Sequence, residues 1–380
     1  MVIPLEECIA RPDRPPRTFP LTQHLRNVGQ HAAQWVTGPR RDYVRLAGLL
    51  HDIGKARRSW QAYIRNDGPR VPHAFLGAAV FFYLVSSHSL SADDQRFVMW
   101  LTRDVAHHHS HLGDLDPGEP PWLSQWQPAA VHEVDWPAVR QFLLEEVPWS
   151  AERLPTDPQK IIQAIQRLER TWRSWAMMWP RISEMSIVTQ ELVRTATASL
   201  IQADRFDAAD IEIDLGITPD AAQRALKIIR QHLVEDTHPG TPMLQAYRHH
   251  AQEAVWNTFK SATTPIVLLQ MPTGSGKTIA ALVCAMDLIA ESDAPRRLIY
   301  VAPYLSIVEQ TAEVIRQTTE IPVLVHHHLS LPDRLPQSRA NEEKPEGILL
   351  AMESWQAPVI VTTFNQLFRA GSTSIIVGSP

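Results

Sequence analysis

The chain has 380 residues, of which 44% are hydrophobic and 20% are charged, and its formal net charge is -5. The length is sufficient for two domains, and the acidic balance excludes a globally basic protein, so any contact with nucleic acid must come from a local groove. The two cysteines, Cys8 and Cys284, exclude a disulfide framework and a cysteine-ligated zinc site. We find neither a signal peptide nor an apolar membrane span, which predicts a cytoplasmic protein without a membrane partner.

The first part of the chain has the apolar spacing of helices. After an arm at residues 1–20 that is rich in Pro and Arg, apolar residues recur three and four positions apart over residues 21–235, as in HAFLGAAVFFYLVSS. The cluster EDTHPGTP then interrupts this pattern. We therefore predict an all-α domain over residues 21–235 and a linker at residues 236–244.

Several segments of this domain carry metal-ligand residues at or near predicted helix ends. The stretch LLHDIGK places His51 beside Asp52 directly after a buried helix. The other candidates are His24, His73, the triplet His107, His108 and His109, and Asp204. Each histidine taken singly is more often structural than a ligand, so the prediction depends on the joint pattern.

These residue types indicate hydrolysis of a phosphodiester. A metal lowers the pKa of a bound water, and two metals can hold the attacking and leaving oxygens. Imidazole and carboxylate ligands suit Mn, Fe, Co, Ni or Zn. Asp52 has two carboxylate oxygens that could bridge two metals, and Lys55, one turn later, could face the phosphate as a point charge. We therefore predict catalytic roles for Asp52 and Lys55.

After the linker, short apolar runs alternate with helical segments. We predict buried strands at PIVLLQMP, RRLIYVAP, IPVLVHHH and PVIVTTF, and helices at KTIAALVCAMDLIAE and YLSIVEQTAEVIRQ. Strands that alternate with helices are typical of a parallel α/β sheet. Residues 245–380 are therefore predicted to form an α/β domain.

The stretch MPTGSGKT lies between a predicted strand and a predicted helix, the context of a phosphate loop. Gly274 and Gly276 allow a tight turn whose N–H groups surround phosphate oxygens, while Lys277 reaches the β- and γ-phosphates and Thr278 ligates Mg²⁺. Upstream, Arg248 and Gln252 are placed where an amide could contact adenine. The residues predicted to bind ATP are Gln252, Thr273, Gly274, Ser275, Gly276, Lys277 and Thr278.

LLHDIGKARRSWQAYI resembles the HD signature of the type I CRISPR-associated helicase-nuclease, the Cas-three family, in which an HD nuclease precedes a superfamily 2 helicase. The family pattern has an early His, an HD-x-G-K motif followed by an aromatic-Gln pair (here Trp60-Gln61), a later His, a His-His pair and a terminal Asp. The second part shares the phosphate loop and the stretches IYVAPYLSIVEQ, VHHHLS and SWQAPVIVTTFNQLF. The resemblance implies that residues 245–380 are a partial RecA-like P-loop domain. The metal ligands implied by the resemblance are His24, His51, Asp52, His73, His108, His109 and Asp204.

The His-His pair can be aligned in two registers. His108-His109 fits the family pattern best, and His107-His108 is the second choice. Ser110 stands where the family usually has Gly.

By this resemblance, the HD domain would nick and degrade single-stranded DNA with two divalent transition metals, Mn, Fe, Co or Ni. The helicase would move along DNA from 3′ to 5′ with ATP and Mg²⁺. Recruitment would be by the Cascade complex with its crRNA during antiviral defence.

The second part departs from the family at one motif. A superfamily 2 motor needs a D-E-x-H/D box and a second RecA-like domain. Either Gly378-Ser379, after the apolar run at residues 374–377, stand in place of the Asp and Glu of that box, or the sequence ends before the box is reached. We expect this chain alone to bind nucleotide weakly through Lys277 without useful ATP hydrolysis or unwinding, either as a truncated form or with a separate polypeptide that completes the motor.

Two other functions fit the same residues. One is an HD-type phosphohydrolase of a small nucleotide, with the P-loop part as a nucleotide sensor. The other is a non-catalytic remnant that binds DNA or Cascade. We rank the DNA nuclease first, because the set of metal ligands is complete and a decayed site would be expected to lose some of them.

Overall fold

The computed structural model describes residues 2–12, 18–109, 118–177, 187–211, 214–234, 242–261, 264, 266–327, 350, 352 and 354–372. They belong to two compact units, Met1–Ile211 and Glu212–Thr373. Residues 236–241 of the predicted linker and the run that contains Gly378-Ser379 lie outside the described residues.

The described residues of the first unit are helical. The α-helices are α1 (Leu21–Ala33), α2 (Arg40–Leu50), α3 (Arg58–Ile64), α4 (Ala74–Ser86), α5 (Ala92–His107), α6 (Pro128–Val131), α7 (Trp136–Glu146), α8 (Pro148–Ala151), α9 (Pro158–Ala176) and α10 (Ile187–Ala209). Short 3₁₀ turns lie at Leu5–Glu7, Ile53–Ala56 and Leu123–Gln125. The predicted all-α fold of this part is confirmed.

Two glycines let α1 and α2 cross closely. A Cβ atom added at Gly48 would lie 2.6 Å from the Cα of Gly29, so the two helices pack backbone against backbone. This approach brings His24 of α1 to the end of α2, where the ring centroids of His24 and His51 are 5.1 Å apart.

Helix α4 is apolar on nearly every side and lies in the middle of the core. It packs against α2, α5 and α9. The centroid of its Phe82 ring lies 5.2 Å from the ring centroid of Trp122 and 5.1 Å from that of Trp172. A helix with apolar residues all round is stable only when it is buried. Because His73 is the N-cap of α4, this packing fixes the position of His73.

The second unit combines helices with a small sheet. Its elements are α11 (Pro219–Val234), α12 (Pro242–Lys260), α13 (Lys277–Ala290), β1 (Leu298–Ala302), α14 (Leu305–Thr319), β2 (Val323–His326), β3 (Val359–Thr363) and α15 (Phe364–Ser372). The strand order is β1-β3-β2 and both pairings are parallel, with Val359 opposite Leu298 and Val323. The predicted parallel α/β fold is therefore confirmed for a partial RecA-like domain.

The division of the units differs from the predicted domain boundary. Helix α11, assigned to the all-α domain from its sequence, belongs to the second unit. Its Leu226 and Ile229 share a buried cluster with Leu282 of α13 and Val308 of α14. The boundary in the structure therefore follows Ile211, because the apolar face of α11 packs on the α/β part.

The predicted strand at PIVLLQMP is wrong for the described residues. Residues 266–270 pair with none of the described strands, and the side chains of Ile266 and Leu268 are 85% and 90% exposed. An apolar run forms a buried strand only where a neighbouring strand supplies its backbone hydrogen bonds. Composition alone does not show whether that neighbour exists.

Candidate functional site

The candidate ligands of the first unit form two clusters that share Asp52. The first cluster is His24, His51, Asp52 and Asp204. The second cluster is Asp52, His73, His108 and His109. Within each cluster the possible ligand atoms lie within 4.8 Å of one another, so the fold brings together all seven residues predicted as metal ligands.

Helix ends hold many of these side chains. His51 and His108 are the C-cap residues of α2 and α5, and His73 is the N-cap residue of α4. His24 and Asp204 lie within α1 and α10, which pack against each other. Side chains from five segments therefore converge on Asp52, which directly follows α2.

The two oxygens of Asp52 point to different clusters. Its Oδ2 lies 3.2 Å from the Nε2 of His24 and 3.4 Å from the Nε2 of His51. Its Oδ1 lies 3.1 Å from the Nε2 of His73 and 3.4 Å from the Nε2 of His108. Asp52 is fully buried, and this arrangement suits a carboxylate shared by two metal ions.

Hydrogen bonds at Nδ1 orient three of the histidines. His51 and His108 donate from Nδ1 to the carbonyl oxygens of Gly48 and Val105, at 2.7 and 2.8 Å. Because a carbonyl only accepts, Nδ1 carries a proton in both rings and Nε2 is the nitrogen that faces the cluster. His24 Nδ1 pairs at 2.6 Å with the carboxylate of Asp207. Metal-ligating histidines are typically held in this way.

Charges and burial shift the pKa values of the centre. Burial would lower the pKa of His51, but the charge of Asp52 and a hydrogen bond with Asp204 raise it to about 10. Burial would raise the pKa of Asp52, but the charges of Lys55 and His51 hold it well below its usual value. Burial is the main cause that lowers the pKa of His109 to about 3. At neutral pH the Asp52 carboxylate is therefore ionised and His109 is neutral, the forms that bind metals, whereas a metal bound at Nε2 of His51 would displace a proton.

Two orphaned polar atoms support a metal in the second cluster. The buried Asp52 Oδ1 and His108 Nε2 have no hydrogen-bond partner among the residues that the structure describes, although they face each other across 3.4 Å. A buried polar atom without a partner costs free energy unless a ligand or ion satisfies it. The oxygen and imidazole donors of both clusters fit a divalent transition metal.

Lys55 lies beside the shared carboxylate. Its Nζ is 2.5 Å from Asp52 Oδ2 and 5.4 Å from the centroid of the Trp60 ring. The buried Gln61 donates from Nε2 to the carbonyl oxygens of Lys55 and Ile9, each at 2.8 Å. The aromatic-Gln pair noted in the sequence thus holds the turn that carries Lys55.

The sequence reasoning missed Asp207 and Asn27. Asn27 Nδ2 donates to Asp207 Oδ1 at 2.6 Å, and Asp207 in turn contacts His24. A signal was available, because Asp207 follows Asp204 by three residues and Asn27 follows His24 by three. Such pairs lie on the same face of a helix.

His107 lies outside both clusters. Its ring packs edge-on against Phe75 with centroids 5.7 Å apart, whereas His108 and His109 belong to the second cluster. Of the two registers left open by the sequence, the structure brings His108-His109 to Asp52.

Substitution of His108 separates these registers experimentally. We expect two bound metals per chain and expect His108→Ala to remove one of them, because it deletes a buried candidate ligand of the second cluster. The affinity of the second cluster for its metal should fall by more than the 10- to 100-fold typical of outer-shell partners. His107→Ala is the matched control and should keep both metals in an elemental analysis of Mn²⁺-loaded protein. Equal loss in the two variants would contradict the assignment.

The phosphate loop of the second unit precedes α13. Gly274 and Gly276 have φ angles of +80° and +82°, which glycine adopts without strain, and α13 begins at Lys277. Arg248 donates to the carbonyl oxygen of Gly274 at 2.9 Å. A Cβ atom added at Gly276 would lie 2.2 Å from Gln252 Nε2. The structure therefore places both upstream residues against the loop.

The remaining predicted ATP contacts occupy the loop itself. The Ser275 side chain is buried and its hydroxyl donates to the carbonyl oxygen of Pro272 at 2.6 Å. Thr273 and Lys277 are exposed, and Thr278 is half-buried in the first turn of α13. A loop of this form at a helix N-terminus can surround an anionic phosphate with backbone N–H groups.

Both units match known domain families. The HD domain model matches residues 21–171, and the DEAD/DEAH box helicase model matches residues 249–374. The chain is therefore a fusion of an HD domain with a helicase domain. Among the described helices, none combines the length and the apolar character needed to cross a bilayer.

The chain is also similar to a curated nuclease/helicase. The chain is 26% identical over 404 residues to the CRISPR-associated nuclease/helicase Cas3 of Haloferax volcanii, a match that covers 92% of this chain and 42% of the relative. The chain thus spans about two fifths of that relative's length. Together with the two domain matches, this similarity supports the predicted resemblance to the Cas3 family of HD–helicase fusions.

Proposed function

We propose that the first unit is a metal-dependent nuclease that cuts single-stranded DNA during type I CRISPR interference. The observation that carries this proposal is the buried carboxylate of Asp52, whose two oxygens face two separate groups of histidines. That arrangement suits two metals that share one carboxylate, a common design for phosphodiester hydrolysis. The name of the Haloferax volcanii relative supports nuclease chemistry and a CRISPR setting.

The residues of the two clusters have distinct roles in this proposal. His24, His51, Asp52 and Asp204 would hold one divalent ion, and Asp52, His73, His108 and His109 the other. Such ions supply a water of lowered pKa and positive charge for the phosphate oxygens. The ammonium group of Lys55 offsets negative charge on a phosphate held beside Asp52.

The exposed side of the centre indicates where DNA approaches. The side chains in the first cluster are nearly or fully buried, whereas the His109 side chain is 49% exposed and that of His73 is 17% exposed. A DNA strand would therefore enter from the side of the second cluster. From the family resemblance, we propose the Cascade complex with its crRNA as the partner that delivers this strand.

A nuclease assay tests this function directly. Metal-free full chain is mixed with circular single-stranded DNA in the absence of ATP, with Mn²⁺, Co²⁺ or Ni²⁺ added and with a chelator as control. We expect cleavage with added metal and none with chelator. A metal-loaded, folded chain that leaves DNA intact but hydrolyses free nucleotides would instead be an HD phosphohydrolase. No hydrolysis of either substrate would favour a non-catalytic DNA- or Cascade-binding role.

For the second unit, we propose binding of ATP with Mg²⁺ at the phosphate loop. Lys277→Ala is expected to weaken binding of a fluorescent ATP analogue by roughly 10- to 100-fold, the effect of losing a charge-assisted contact of about 1.5–3 kcal/mol. Lys227→Ala removes an exposed lysine of α11 and should leave binding unchanged. Equal affinities of the two variants would contradict a phosphate contact by Lys277.

A further inference from the structure

Asp207 lies behind the metal centre and contacts one of its candidate ligands. Its Oδ2 is 2.6 Å from His24 Nδ1, on the side of the ring opposite the cluster. The Nε2 of the same ring is 3.2 Å from Asp52 Oδ2 and 3.5 Å from Asp204 Oδ1. The Asp207 side chain is 17% exposed, so solvent competes little for this hydrogen bond. His24 therefore connects Asp207 to the first cluster.

Asn27 fixes the orientation of Asp207. The Asn27 Oδ1 accepts a hydrogen bond from Gln23 Nε2 at 2.7 Å, which directs its Nδ2 toward Asp207 Oδ1 at 2.6 Å. With one oxygen held by Asn27, the other oxygen of Asp207 is left to accept the proton of His24. Two residues of α1 thus hold the Asp207 carboxylate of α10, one at each oxygen.

The partner of His24 differs from the partners of its neighbours. His51 and His108 donate to the backbone carbonyls of Gly48 and Val105, whereas His24 pairs with a side-chain carboxylate. A carboxylate that accepts from a metal-bound histidine fixes its tautomer and its ring orientation. Among the described residues, the first cluster also contains two carboxylates, Asp52 and Asp204, while the second contains the shared Asp52 alone.

We propose that Asp207, oriented by Asn27, is a positioning residue that fixes the His24 ring and makes the first cluster the tighter of the two metal sites. This inference rests on the proposed metal centre and adds that the first cluster binds its metal more tightly than the second. The hydrogen bond of Asp207 holds the Nε2 lone pair toward the space beside Asp52. The second cluster, with its exposed His109, exchanges its metal more readily.

Calorimetric titration of the metal-free full chain with Mn²⁺, in the absence of nucleotide and DNA, tests this inference. We expect two binding steps of unequal affinity. Asp207→Asn should weaken the tighter step by roughly 10- to 100-fold, the loss typical of outer-shell partners, and leave the weaker step unchanged. Glu191→Gln removes a charge from the exposed face of the same helix and should change neither step.

A reciprocal exchange separates a positioning role from general destabilisation. In the double variant Asp207→Asn with Asn27→Asp, an amide donor and a carboxylate acceptor again face each other, and the amide oxygen can accept from His24. We expect the double variant to bind Mn²⁺ at the tighter step at least tenfold more strongly than the single variant Asp207→Asn. A lack of recovery, or an equal loss in both steps, would overturn the inference. Two metal-binding steps in a chain that cuts no DNA would contradict the nuclease and leave the inference intact.

Discussion

Asp52→Ala is expected to abolish metal-dependent cleavage of circular single-stranded DNA, with a loss of roughly a thousandfold or more. Losses of this order are found when one member of a catalytic unit is removed. The physical reason is that both clusters depend on this one carboxylate, with Oδ2 facing His24 and His51 and Oδ1 facing His73 and His108. Substitution of any other candidate ligand removes a donor from one cluster, whereas this change removes a donor from both.

The matched control is Asp42→Ala, which removes an exposed carboxylate from the first turn of α2, the helix that precedes Asp52. Its cleavage rate and metal content should equal those of the unchanged chain. Metal content provides a second readout, because Asp52→Ala should lower the affinity of both binding steps. Cleavage that persists at the original rate in Asp52→Ala would show that the activity resides elsewhere.

Sequence reasoning reached the fold class because that class depends on local patterns. Apolar spacing identified the helical first part, and alternation of strands and helices identified the parallel sheet. The candidate ligands were found for a related reason, since His51, His73 and His108 stand at helix ends where apolar patterns stop. The structure adds that these ends converge on one carboxylate.

What the sequence did not reveal depends on contacts between distant segments. Asp207 and Asn27 are polar residues on ordinary helix surfaces, and their role arises only because α1 packs against α10. Helix α11 has the spacing of any amphipathic helix, and its place in the second unit follows from its contacts with α13 and α14. Periodicity shows which face is buried, but not which neighbour covers it.

Gly54→Ala is expected to damage the centre without removing any ligand. A Cβ atom at Gly54 would lie 2.0 Å from the carbonyl oxygen and 2.8 Å from the carbonyl carbon of His73. Both atoms belong to the backbone, so no side-chain rotation relieves the overlap. The turn that carries Lys55 and the N-terminus of α4 must move apart, which separates Asp52 from His73.

The expected effects of Gly54→Ala concern both stability and catalysis. Overpacking of a buried site costs about 1–3 kcal/mol in the free energy of unfolding, and a displacement of about 1 Å can lower a rate by about a hundredfold. We therefore expect a lower melting temperature, weaker Mn²⁺ binding in the second cluster and roughly hundredfold slower cleavage. Gly68→Ala, whose Cβ would meet its nearest atom at an ordinary 3.4 Å, should leave all three unchanged. If Gly54→Ala cut DNA as fast as Gly68→Ala, the centre would tolerate separation of Asp52 from His73, and a shared carboxylate could not be essential to cleavage.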